Sequence, residues 1–97
     1  MAGYIILAKW TQKGTAEVKD SPARMKQARA AAEKLGGKVV GMWVTMGEYD
    51  GVIVLDMPNE QAASLFALGM ARQGTAATQT MRAFSEDEFA QLVAKLP

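Results

Sequence analysis

The chain of 97 residues contains neither cysteine nor histidine. Those two absences remove thiolate nucleophiles, imidazole bases, disulfide staples and nearly every zinc or haem site in one step. Charge of one sign is lacking too. Lys and Arg number 11 against 10 Asp and Glu, a net charge of +1, and the basic residues are scattered rather than striped. Such a chain has no field to gather nucleic acid or an anionic membrane surface. The N-terminal apolar run, Tyr4 to Ala8, is too short for a membrane span or a signal-peptide core, and no basic residues precede it. A cytoplasmic location is the expectation.

Apolar residues make up 49% of the sequence, which argues for a packed core and against disorder. The length suits one domain, residues 1–97, with no room for a separate cofactor domain. No resident cofactor and no metal is expected. Any chemistry would fall to carboxylates, Lys, Arg, Tyr, hydroxyls or a borrowed cofactor.

Tyr4 to Trp10 reads as a strand ending at Thr11-Gln12-Lys13-Gly14. Asp20-Ser21-Pro22 opens a helix: Asp20 or Ser21 can cap it, and Pro22 fits the first helical position, whose N–H has no partner anyway. Met25, Ala28, Ala32 and Leu35 share one face of that helix, and Gly36-Gly37 ends it. Two apolar runs follow, Val39 to Val44 and Gly51 to Met57, then a second helix opening at Pro58-Asn59-Glu60 and ending at Gly74. Thr75 to Phe84 is a more polar strand and belongs at a sheet edge. Ser85-Glu86-Asp87-Glu88 is a capping box for a last helix with the apolar stripe Phe89, Leu92, Val93 and Leu96. The order βαββαβ plus a terminal helix is that of a ferredoxin-like α+β sandwich.

Between the two central runs lies Thr45-Met46-Gly47-Glu48-Tyr49-Asp50. Gly47-Glu48 fits a two-residue hairpin turn whose first position takes positive φ. That turn pairs Met46 with Tyr49, Thr45 with Asp50, Trp43 with Val52 and Met42 with Ile53. It puts Val40, Met42, Val44, Met46, Tyr49, Ile53, Leu55 and Met57 on one face, and Gly41, Trp43, Thr45, Asp50, Val52, Val54 and Asp56 on the other.

An antiparallel sheet with one face in water alternates apolar and polar residues, yet Ile5-Ile6-Leu7-Ala8 and Val52-Ile53-Val54-Leu55 are apolar on both sides. The two main helices cover one face, and a short terminal helix is narrower than four strands. The other face therefore calls for a second copy, a homodimer at least.

In this topology Lys9, Trp10, Trp43, Thr45, Glu48, Tyr49, Asp50 and Thr78 gather at one end of the sheet. Aromatic walls with a few polar groups are what small-molecule pockets contain. The candidate ligand-binding residues are thus Lys9, Trp10, Trp43, Thr45, Asp50 and Thr78. The candidate catalytic residues are Asp50 as base, with Lys9 or Tyr49 steadying an anion. Each has a plainer role: Trp43 as interface or core, Asp50 bonded to nearby amides or hydroxyls, Tyr49 packed on Met46, Lys9 snorkelling from a strand end. Arg82, with Thr78 and Thr80 at period two, suits either an anion surface or a defended edge.

The segment Thr45 to Asp50 resembles the signature of the GYD-domain family, with Glu48 inserted between the Gly and the Tyr-Asp. The similarity extends to Lys9-Trp10-Thr11, Asp20-Ser21-Pro22, Lys34-Leu35-Gly36-Gly37-Lys38 and Arg82 to Phe89, nearly end to end. The resemblance implies a subunit of the dimeric α+β barrel type and brings no reaction with it. Related barrels include cofactor-free monooxygenases, isomerases, haem enzymes and ligand-sensing modules, so fold alone does not select among them; the absence of His argues against the haem-ligating members. Three expectations follow: an oligomer holding a small, partly apolar metabolite at the barrel mouth, a cofactor-independent isomerase or monooxygenase, or an assembly module without ligand.

Overall fold

A computed structural model describes Met1–Pro97. Strand β1 (Ala2–Trp10) is followed by a short helix α1 (Gln12–Ala16), a 3-10 turn over Val18–Asp20 and helix α2 (Ser21–Lys34). Strands β2 (Lys38–Val44) and β3 (Gly51–Met57), helix α3 (Glu60–Arg72), strand β4 (Ala76–Ala83) and helix α4 (Glu86–Ala94) complete the chain. The four strands form one antiparallel sheet in the order β2-β3-β1-β4, with α2 and α3 on one face. This is the ferredoxin-like α+β architecture that the pattern βαββαβ predicts.

Local chemistry sets most of the boundaries. Pro22 stands in the first turn of α2, and Gly36, at φ +86°, takes the left-handed conformation that closes it. Asn59 caps α3 by accepting from the amide of Ala62 at 2.9 Å. Ser85 and Glu88 form the capping box, each side chain bonded to the other's backbone N–H at 3.1 Å. The helix α1 is unforeseen. Thr11 caps it by accepting from the amide of Gly14, and Thr11 also donates to the carbonyl of Gly74, tying α1 to the start of β4.

The core lies between the helices and the inner sheet face. Tyr4, Ile6, Ile53, Leu55 and Met57 pack there against Ala32, Ala62, Ala63 and Phe66. The strand residues between them, Ile5, Leu7, Val52 and Val54, point to the opposite face and are only half-buried. Nothing in the subunit packs across that outer face. Helix α4 barely touches the rest of the chain, and its Phe89, Leu92, Val93 and Leu96 are exposed. The protein is accordingly elongated, 51 × 30 × 18 Å. Its radius of gyration is 14.5 Å, where a compact domain of this length has about 12.5 Å.

Two details of the hairpin differ from the expected register. Gly47 does have positive φ, +114°, but the turn is wider: the last inter-strand bond runs from the Thr45 amide to the Asp50 carbonyl at 2.8 Å, and four residues span the gap. The Thr45 hydroxyl closes the loop by donating to the Tyr49 carbonyl at 2.6 Å. Because four loop residues preserve the parity of two, Trp43 still faces Val52 and Met42 still faces Ile53. Further along, a bulge sets Val40 and Gly41 together opposite Val54. Val39, not Val40, therefore fills the inner position opposite Leu55, and Val40 is turned out to 55% exposure.

Candidate functional site

The sheet end formed by the β2–β3 loop, the end of β1 and the start of β4 brings the expected residues together, but on two sides. Lys9 lies on the outer side. Its ammonium sits 5.2 Å from the centre of the Tyr49 ring and 3.8 Å from the Glu48 carboxylate. Tyr49 in turn donates its hydroxyl to Gln79 at 3.2 Å. The wide loop swings Tyr49 away from Met46, which is 98% exposed, so Tyr49 joins the outer rather than the inner face. Trp43 is on the outer face too. A Cβ added at Gly41 would come within 2.4 Å of the Trp43 ring, so the indole lies folded back over Gly41. Glycine is what lets it lie there.

Asp50 stands at the rim. Its amide donates to the Ala8 carbonyl at 2.8 Å, and its carboxylate accepts from the Trp10 amide at 2.9 Å. This side chain extends the β1–β3 pairing by one bond past the end of the ladder. That is a structural task, and the carboxylate expected as base is already bonded to a backbone amide.

Trp10 and Thr78 belong to the inner side. Between α2, α3 and the inner face a cavity of about 250 Å³ opens at this end of the sheet. Met25, Leu35, Met42, Phe66 and Met70 line it together with Trp10, and Ser21, Arg24, Gln27 and Gln73 give it polar margins. Trp43 and Asp50 also border it, whereas Lys9, Thr45 and Thr78 do not. The Arg24 charge is already used: its guanidinium donates to the Glu17 carboxylate at 2.6 Å and lies 3.9 Å from Asp20. The cavity thus offers apolar volume rather than a free charge. Met25 and Leu35 lie on the apolar helix face that the spacing of Met25, Ala28, Ala32 and Leu35 defines. Helical spacing cannot distinguish a core-filling face from a cavity-lining one, because both are apolar.

Arg82 is taken up in structure. It donates to the carbonyls of Gly3 and Ala83, pairs with Glu88 at 2.9 Å, and lies 4.4 Å from the centre of the Phe84 ring. The Arg82 hydrogen bond, with help from the Ser85 amide, holds the Glu88 carboxyl below its ordinary range. No group of three or more acidic side chains is placed to hold a metal ion, and no helix is long and apolar enough to cross a membrane.

A single antiparallel sheet with one helix-covered face and one bare face defines a ferredoxin-like α+β subunit. The family model of the GYD domain matches residues 4–93, nearly the whole length, and the chain belongs to that family. A curated relative from Thermus thermophilus is 28% identical over 97 residues, covering 99% of each chain. It is named glutamine synthetase and cystathionine beta-lyase binding protein. Among solved structures, FFRP-DM1 superposes with a TM-score of 0.60 at 23% identity, covering 87% of this chain and all of that one. A hypothetical protein of Pyrococcus horikoshii follows with 0.52 at 22% identity, covering 89% and 93%. At that identity these two speak for the fold alone.

Proposed function

We propose that this protein is a self-associating binding module that docks onto a larger metabolic enzyme. The observation that carries the reading is the outer sheet face: Ile5, Leu7, Trp43, Val52 and Val54 form an apolar surface that no element of the subunit covers. A second copy, sheet face to sheet face, is the economical cover, since two such faces are self-complementary under twofold symmetry. The outward side of α3, where Leu65 and Leu68 are exposed, stays free for another protein. The Thermus relative's name supports an enzyme as that other protein, and glutamine synthetase is the first client to test. Titration of the fluorescently labelled protein with purified glutamine synthetase of its own host should give saturable binding that Leu68→Asp weakens. Absence of binding to both glutamine synthetase and cystathionine β-lyase would remove the client from this reading.

The cavity supports a second reading, in which the module holds a small apolar metabolite between α2 and α3. The 250 Å³ space bordered by Trp10, Met42 and Phe66 is the observation behind it. Thermal-shift screening is its test. A ligand that fits there should raise the melting temperature in the wild type and fail to do so in Ala28→Phe, which fills the space.

A further inference from the structure

Besides α3, two regions at the margins of the sheet expose large apolar side chains. One is β2, where Val40 and Trp43 are each 55% exposed; the other is the β4–α4 arm, with Met81, Phe84, Phe89, Leu92 and Val93. In the order β2-β3-β1-β4 these lie at opposite edges of the sheet, so one subunit cannot bring them together. We propose that α4 is a reciprocal arm: in the dimer, each α4 packs across the partner's β2, over Val40 and Trp43. This inference rests on the face-to-face pairing proposed above and specifies how it is clamped.

Four observations support it. First, α4 is built to be held out. A nine-residue helix is marginal on its own, yet this one is fixed to the end of β4 by its capping box and by the Arg82–Glu88 pair. Its apolar side chains Phe89, Leu92 and Val93 nonetheless stay exposed. Second, the geometry suits a twofold axis parallel to the strands. Lys38, Asp56, Gly3 and Ala83 form one row across the sheet, from the β2 edge to the β4 edge. Such an axis lays one β4 edge over the other's β2 edge and keeps this row at the same end, so α4, starting three residues past Ala83, begins over the partner's Lys38. Third, the charges match. Glu86 and Asp87 in the first turn of α4 have no ion-pair partner within the subunit, and neither has Lys38. Fourth, the flat face alone is small. Four strands about 4.8 Å apart and some seven residues long give a footprint of roughly 20 × 25 Å, short of the roughly 800 Å² per partner of a stable interface. An apolar stripe from each subunit enlarges it.

The bulge at Val40 then has a use. It turns a large apolar side chain out of the core and onto the surface that α4 would cover.

The chain lacks cysteine, so Ala90→Cys, beside the α4 stripe, takes a single nitroxide label. Labelled chains are mixed with unlabelled ¹⁵N chains, and amide broadening is read in the latter. Broadening of Val40 to Trp43 is expected, and it should vanish in the diamagnetic control. In sedimentation, Lys38→Glu should weaken the dimer at least tenfold, and Lys38→Glu combined with Asp87→Lys should restore much of that loss. A dimer of normal mass with no broadening between chains overturns the arm and leaves the face-to-face pairing standing. In a second sample, where the ¹⁵N chains themselves carry the nitroxide, broadening of the outer face with none seen between chains in the first also overturns the arm, since α4 then folds onto its own sheet. A single chain at all concentrations overturns the pairing as well.

Discussion

The two faces of the sheet are made from the same strands and nearly the same residue types, but they differ in fate. On the inner face Ile6, Leu55 and Met57 are fully buried beneath α2 and α3; on the outer face Ile5, Leu7, Val52 and Val54 remain half-exposed. Alternation along a strand normally separates a wet face from a dry one. Here both sets are apolar, and only one has a cover within the chain. The sequence therefore encodes two apolar surfaces on one sheet, one covered by folding and one left uncovered within the subunit.

The comparison breaks most sharply if inner-face truncation is harmless. Leu55→Ala should cost about 2–5 kcal/mol by creating a cavity in the core, read from urea unfolding. Gly14→Ala should cost about 1–3 kcal/mol, because its Cβ would lie 1.9 Å from the Thr75 carbonyl oxygen, a backbone atom that cannot swing aside. Gly47→Ala tests the loop. Its positive φ has no steric crowding around it, so a loss of about 1 kcal/mol is expected, from backbone conformation alone. On the outer face, Val54→Asp should change the intrinsic stability of the folded subunit by less than about 1 kcal/mol, yet shift the particle to a single chain in sedimentation. The smallest effect concerns acid. Arg82 lowers the Glu88 pKa in the folded state, so the contribution of this carboxylate to anchoring α4 is present above the ordinary glutamate value. It is lost as pH falls through the lowered one. Between neutrality and about pH 5 the Glu88 side-chain carboxyl resonance should stay ionised, and Arg82→Gln should move its midpoint upward.

Much of the fold was legible because caps, prolines and glycines act locally. Ser85 and Glu88, Asn59, Pro22 and Gly36 each mark a helix end through contacts a few residues long. The resemblance to GYD domains was legible for the same kind of reason, resting on short segments spread along the chain. The bulge at Val40 was not, because it depends on which valine the core accepts opposite Leu55; the adjoining Gly41 was the available signal. Helix α1 was missed since its five residues are held by Thr11 and the distant Gly74 and Thr75 backbone, a tertiary effect. The candidate site was legible as a place and less so as an arrangement. Lys9, Trp43, Tyr49 and Asp50 do meet at one sheet end, but the width of the loop decides which face Tyr49 takes, and Asp50 answers to the Trp10 amide. The cavity between α2 and α3 could not be anticipated, because its walls have the pattern of a filled core.

The central claim is that the outer face is an interface between copies of this chain. Sedimentation equilibrium of the unmodified protein over a dilution series through the micromolar range tests it most directly. A particle of at least two chains that dissociates only on dilution is expected. A stable particle of one chain across the whole range would contradict it.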